Sequence, residues 1–241
     1  MVAKKKKKSK KGSPRSWKLR LLAAASTLIV FAAAVVIFTW PDVAALAEQP
    51  PETTAFIERV RSQGKVVDWR WVPYDQISQE LKKTVVTAED MSFFSHNGFD
   101  THEIKVAARD AVRGKRVRGA STITQQLAKN LWLNPSRSPT RKFREFILTR
   151  QLEDRLSKHR ILELYLNVVQ FGPATFGAEA ASREFFGLPA AELDRHQAAS
   201  LAASLPRPSS WHPGSTDPGY QRSIARILAR ADQADWIDQL L

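Results

Sequence analysis

Charge is missing from one long stretch of the chain, and apolar positions recur at regular intervals downstream of it. From Leu21 to Trp40 the sequence reads LLAAASTLIVFAAAVVIFTW, without one acid or base. A helix rising about 1.5 Å per residue crosses the roughly 30 Å hydrocarbon core in about twenty residues, so 21–40 is predicted to be a membrane-spanning helix ended by Pro41. Downstream, apolar positions recur at helical spacing. Phe56 to Gly64 reads as a short helix. Ser78 can cap a helix through Leu81, Val85 and Ala88, which delivers Glu89 at its end. Asp100 with Glu103 has a capping-box pattern, and Ile104, Ala107, Ala108, Ala111 and Val112 then share one face. Ser121 or Thr122 starts a helix carrying Ile123, Leu127 and Leu131. Thr140 to Ser157 is predicted helical, with Phe143, Ile147, Leu148, Leu152 and Leu156 inward. Ile161–Leu166 reads as buried helix, and Ala178–Phe186, Asp194–Leu205 and Ile224–Leu241 as three more. Only Val66–Val72 alternates like a strand. The expected class is mostly α.

Charge refines the domain plan. The net charge is +13, yet residues 1–20 hold ten Lys/Arg and no acid, leaving 27 bases against 24 acids elsewhere. The excess is therefore a tail, which argues against a nucleic-acid-binding face. A basic tail before an apolar span stays on the cytoplasmic side. The expected plan is a basic cytoplasmic tail (1–20), a signal-anchor helix (21–40), a Pro-rich juxtamembrane linker (41–65) and an extracytoplasmic domain (66–241). Ala45-Leu46-Ala47 resembles a signal-peptide cleavage site, but the apolar run exceeds the usual 7–15 residues. There are no cysteines, so disulfides and thiolate metal sites are excluded.

Three stretches can carry chemistry. Thr87 to Asp100 holds adjacent carboxylates, Glu89 and Asp90, with Phe93, Phe94, His96 and Gly98. Burial and a like-charged neighbour raise a carboxylate's pKa toward the range of a general base or acid. The structural alternative is a helix end with solvated acids. Gly119 to Asn130 sets Ser121, Thr122, Gln125, Gln126, Lys129 and Asn130 around a helix start, an inventory suited to sugar hydroxyls or an anion. It also reads as a capped amphipathic helix. Arg141-Lys142-Phe143-Arg144-Glu145 puts two cations and a carboxylate on one face, either as a phosphate or metal clamp or as surface ion pairs. The five histidines offer no metal spacing. Ser62-Gln63-Gly64-Lys65 matches S-x-x-K, but no K-T-G follows.

Taken together, the stretches resemble the glycosyltransferase domain of peptidoglycan polymerases, the family shared by bifunctional penicillin-binding proteins and monofunctional peptidoglycan transglycosylases. The motifs are Glu89-Asp90-x-x-Phe93-x-x-His96-x-Gly98, Gly119-x-Ser121-Thr122-Ile123-Thr124-Gln125-Gln126-Leu127-x-Lys129-Asn130, Arg141-Lys142-x-x-Glu145, Ile161 to Asn167 and Ala202 to Pro208, in order from about Val66 to Pro213. Ala120 replaces a common glycine, and Gly172 to Gly177 is a variant Gly-rich segment. No transpeptidase domain follows, which matches the monofunctional form.

The resemblance implies a lysozyme-like, mostly α fold and the polymerisation of lipid II. The acceptor's GlcNAc C4 hydroxyl attacks C1 of the MurNAc bearing undecaprenyl pyrophosphate, with inversion to a β-1,4 link. It makes Glu89 the general base, with Glu145 assisting at the donor directly or by ordering a cation. Lys129, Arg141 and Lys142 then bind the departing pyrophosphate, and Ser121, Thr122, Gln125, Gln126 and Asn130 line the substrate cleft. Asp90 and His96 hold the loop and tune its electrostatics. No cofactor is obligatory, although a divalent cation (Mg or Mn) at the pyrophosphate is compatible. Expected partners are lipid II, the growing lipid-linked glycan, membrane lipids and other cell-wall synthesis or division proteins, and the expected location is the outer face of the bacterial inner membrane. Asn130-Leu131-Trp132-Leu133 and the Arg113–Arg118 loop are expected near the bilayer. Rival readings are a membrane-anchored cell-wall hydrolase or lytic transglycosylase, and a non-catalytic scaffold.

Overall fold

The computed structural model describes residues 14–114, 121–136 and 138–241. It falls into two compact units, Met1–Asp42 and Val43–Leu241. In the first, α1 (Pro14–Thr39) is one continuous helix. Among the described residues, no helix is long and apolar enough to cross a membrane. The side chains at 14–16, 18, 29, 32–33 and 35–38 lie outside the description, as do residues 1–13 of the expected basic tail.

The second unit is built almost wholly of helices: α2 (Ala55–Ser62), α3 (Gln79–Glu89), α4 (Thr101–Val112), α5 (Ile123–Trp132), α6 (Pro139–Arg155), α7 (Lys158–Val168), α8 (Ala178–Phe186), α9 (Arg195–Ser204) and α10 (Pro218–Ala231). The stretch expected as linker is folded into it: Val43, Leu46, Ile57 and Val60 are buried, and the last two pack on Phe176. Short polar side chains start the helices. Ser78 accepts the Leu81 amide, Ser138 that of Arg141, and Asp217 those of Gly219 and Tyr220. Each such cap is worth about 1 kcal/mol. Pro139 and Pro218 follow their caps at the first helical turn, where a missing N–H costs nothing.

Two packed groups of helices position the site. α3 lies against α9 and α10, and α5 against α6 and α7. Residues Ala198 to Ser204 of α9 are all buried. Their small side chains let α3 approach closely, and Leu81, Val85 and Val86 of α3 are wholly enclosed. Those three residues set the rotation of α3 and so the direction of its last residue, Glu89.

Several sequence expectations change. The strand is only β1 (Asp68–Trp69), paired in parallel with β2 (Thr175–Phe176). Two residues carry no detectable period, so β2 gave no signal. The segment after β1 is held instead by buried Asn167. Its Oδ1 accepts the Val72 N–H and its Nδ2 donates to the Val72 carbonyl, each at 2.9 Å, in place of a strand partner. Phe143 points outward, 64% exposed, because Glu145, Leu148, Thr149 and Leu152 define the buried face of α6. Ile104 and Val112 of α4 are also exposed. Leu131 and Leu133 are buried and Trp132 partly so, which takes both leucines out of any bilayer contact. Most of the Arg113–Arg118 loop, residues 115–118, lies outside the described residues. The last predicted helix breaks after Ala231, and a 3-10 turn (Asp235–Gln239) follows. Lys83 Nζ binds Asp235 at 3.0 Å and Asp238 at 2.6 Å, pulling this turn onto α3.

Candidate active site

Glu89 ends α3 with its carboxylate held by a relay of side chains. Gln126 Nε2 donates to Glu89 Oε2 at 2.6 Å, and the Tyr165 hydroxyl donates to Gln126 Oε1 at 3.0 Å. The tyrosine therefore orients the amide so that its NH₂ faces the acid. Tyr165 is fully buried and its pKa is driven well above the usual value, first by burial and then by Glu89 and Asp90. Its hydroxyl thus stays a donor. Burial raises the Glu89 pKa. The Gln126 hydrogen bond and Lys129 oppose the rise, and Asp90 adds to it. The result is a carboxylate more basic than an exposed one, as general-base work requires.

Asp90 does something different. It accepts the Ile123 backbone N–H at 2.9 Å, at the first turn of α5, and a hydrogen bond from His96 Nε2 at 2.9 Å. The Gly98 N–H donates to His96 Nδ1 at 3.1 Å, so Nδ1 is unprotonated and Nε2 carries the hydrogen given to Asp90. Gly98 sits at φ +85°, and a Cβ there would come within 2.8 Å of Thr149 and 2.9 Å of Glu153. This loop therefore ties the end of α3 to the start of α5.

Thr122 and Gln125 also serve the fold. The Thr122 hydroxyl donates to the Gly98 carbonyl at 2.7 Å and accepts the Gln125 N–H, while Gln125 Oε1 accepts the Thr122 N–H. Thr122, not Ser121, is thus the cap, and the capping box uses both residues' polar atoms. Asn130 is buried and lines neither of the cavities described below.

Beyond Gln126 the polar surface turns cationic. A cavity of about 390 Å³ is lined by Ser121, Gln125, Gln126, Lys129, Arg141, Lys142 and Glu145. Glu145 is only 3% exposed; Arg141 Nη1 approaches its Oε2 at 2.5 Å and Lys142 Nζ pairs with its Oε1. The buried Nε of Arg141 has no hydrogen-bond partner among the described residues. Burial lowers the Lys129 pKa; Glu145 and Glu89 pull it up, and Arg141 and Lys142 push it down. Three cations around one buried carboxylate leave a positive field where an anion can enter.

A larger cavity of about 1040 Å³ lies on the other side of Glu89. Its lining includes Glu89, Asp90, Ser92, Phe99, Asp100, Ser121 and Thr122, faced by Arg226, Arg230 and Trp236. Ser121 lines both cavities. Sequence reasoning missed Tyr165, which looked like ordinary core inside an apolar helix, and the three residues from the C-terminal helix and turn.

Glu89 lines the roomy cavity and is hydrogen-bonded to Gln126 of the cationic one, an arrangement suited to activating a hydroxyl beside an anionic group. Comparison with known proteins names the class. Residues 53–232 match the family described as Transglycosylase. A protein named biosynthetic peptidoglycan transglycosylase from Alcanivorax borkumensis is 46% identical over 86% of this chain and 85% of its own length. One of the same name from an Azoarcus species is 44% identical over 88% of this chain and 90% of its own, and one from Nitrosospira multiformis 40% identical over 76% and 83%. The chain belongs to the transglycosylase family of peptidoglycan synthesis.

Proposed function

We propose that this protein polymerises lipid II into β-1,4-linked glycan strands in cell-wall synthesis, releasing undecaprenyl diphosphate. It is a peptidoglycan glycosyltransferase. The observation that carries the reading is the pairing of Glu89, whose pKa burial raises, with the Lys129–Arg141–Lys142 cluster beyond its Gln126 partner.

In the proposed reaction the acceptor sugar occupies the larger cavity with its C4 hydroxyl at Glu89. The diphosphate of the donor occupies the smaller one. Glu89 takes the hydroxyl proton as the new O4–C1 bond forms and the C1–O bond to the diphosphate breaks, with inversion at C1. Lys129, Arg141 and Lys142 meet the charge that develops on the leaving oxygens. Glu145 orients Arg141 and Lys142 and keeps both charged side chains turned into the cavity. Ser121 and Gln126 contact substrate; Thr122 and Gln125 cap α5 and also line the two cavities, whereas Asn130 lies behind them.

No obligatory cofactor is part of the proposal. Glu145 is the one carboxylate among the described residues lining the smaller cavity, and both its oxygens already pair with cations. Among the described residues no group of three or more His, Asp and Glu could hold a metal ion. These residues do not fit a protein-held divalent cation, and no step depends on one.

The reading extends to a lysozyme-like architecture for the helical domain and to a membrane location. Residues 21–40 anchor the chain, the basic residues 1–20 stay in the cytoplasm, and the enzyme faces outward, where a lipid-linked substrate shares its surface. The uncharged run from Leu21 to Trp40, nearly all of it inside one continuous helix, supports the anchor. The deciding experiment supplies purified protein with lipid II and, separately, with finished glycan strands, with and without chelator. Long glycan from lipid II, unaffected by chelator, is the expected result. Cleavage of finished strands without polymer formation would establish a hydrolase instead.

A further inference from the structure

The larger cavity has a wall that the reaction above does not use. Arg226 and Arg230 lie one turn apart on α10, where side chains project about 5–6 Å from each other. Both are exposed, and neither guanidinium has an ion-pair or hydrogen-bond partner among the described residues. Four acids line the same cavity, and none pairs with either arginine among the described residues; Glu103, at the first turn of α4, makes no ion pair there. Asp90 is taken by His96 and the Ile123 N–H, Asp100 by Ser92 and the first amides of α4, and Glu89 itself by Gln126.

Trp236 completes this wall. A tryptophan 47% exposed on a short terminal turn would ordinarily be free to swing, but this one is held at both sides. Lys83 grips Asp235 and Asp238, and Ile237 is fully buried. Lys83 belongs to α3, the helix that presents Glu89. The same helix thus fixes the base and an aromatic that lines the same cavity.

We propose that Arg226, Arg230 and Trp236 form the acceptor-binding wall, with the Trp236 ring stacking on a sugar and the two arginines gripping an anionic group of the same acceptor. This rests on the polymerase reading. A flat indole suits the apolar C–H face of a pyranose. Paired guanidinium groups suit the planar or tetrahedral oxygens of a carboxylate or phosphate. On lipid II the anion is either a stem-peptide carboxylate or the acceptor's own diphosphate.

The test is the lipid II dependence of the polymerisation rate for the full chain, for Arg226→Gln/Arg230→Gln, for Trp236→Ala and for Trp236→Phe. The arginine variant should raise KM roughly ten- to hundredfold, the range for losing hydrogen bonds to charged groups, with kcat little changed. Trp236→Ala should also raise KM, and Trp236→Phe should recover most of the loss. A substrate lacking the stem peptide separates the anions. If the arginine effect vanishes with it, the carboxylate is the ligand; if the effect persists, the diphosphate is. Unchanged KM in the arginine and Trp236→Ala variants, on a background that polymerises normally, overturns the inference alone. No polymer from the unaltered chain overturns the polymerase reading and this inference together.

Discussion

Replacing Tyr165 by Phe removes one hydroxyl from a fully buried ring. That hydroxyl donates to Gln126 Oε1 at 3.0 Å and so keeps the amide NH₂ on Glu89. Without it the Gln126 oxygen loses its partner, and the amide is free to turn that oxygen toward the carboxylate. Leaving such a group unsatisfied costs about 1–2 kcal/mol, which corresponds to roughly 5- to 30-fold in rate if it falls on the transition state. The pH dependence makes the prediction specific. The Gln126 hydrogen bond holds the Glu89 pKa down against burial, so loosening it lets the pKa rise. A general base works only when deprotonated. The acid limb of the kcat profile should therefore move to higher pH, and the loss should shrink on the alkaline side. The assay is lipid II polymerisation across pH for the unaltered protein and for Tyr165→Phe, with a melting curve to confirm folding. Gln126→Ala should reproduce the shift, and the double variant should be little worse than either single, because one relay carries both effects. A loss of equal size at every pH, or additive losses in the double variant, would refute the relay.

Two further outcomes concern stability. Burial raises the Glu89 pKa in the folded state above the ordinary 4.5, so this group's contribution to stability is complete below that value and is lost as pH rises and the carboxylate ionises. Glu89→Gln keeps an acceptor for Gln126 and removes the charge; it should melt higher than the unaltered protein at about pH 7.5, with the gap closing toward about pH 4, and a lower melting point at the higher pH would contradict the assigned cause. Gly177 sits at φ +82°, and a Cβ there would lie 2.5 Å from the Asn167 carbonyl oxygen. Gly177→Ala should cost about 2–5 kcal/mol from strain in a positive-φ, extended backbone that only glycine adopts readily, plus overpacking, read by denaturant unfolding, and a change under about 1 kcal/mol would mean the loop simply yields.

What the sequence revealed was chemistry more than placement. Glu89, Ser121, Thr122, Gln125, Gln126, Lys129, Arg141, Lys142 and Glu145 were candidates from motif order, and the structure places all of them on the linings of two adjoining cavities. Thr122 and Gln125 line the cavities too, and their second duty as the capping box of α5 was not legible, because a motif does not say which polar atoms are spent on the helix itself. Phe143 looked inward because α6 carries apolar residues on two faces, and periodicity cannot choose between them. Tyr165 hid within an apolar run, its hydroxyl meaningful only once Gln126 lies beside it. Arg226, Arg230 and Trp236 are distant in sequence from every catalytic motif, and only the packing of α10 and the terminal turn on α3 brings them to the cavity. The helical class was readable throughout because the buried faces of α3, α5 and α7 repeat at helical spacing over two turns or more.

The central claim is that Glu89 is the base that activates the acceptor hydroxyl. Its most direct test is the initial rate of lipid II polymerisation by Glu89→Gln, a variant that retains the hydrogen-bonding partner of Gln126 and therefore the fold. The expected loss is at least about 100-fold, as removal of a general base gives, with no recovery at high pH. A folded Glu89→Gln protein that polymerises lipid II within a fewfold of the unaltered rate would contradict it.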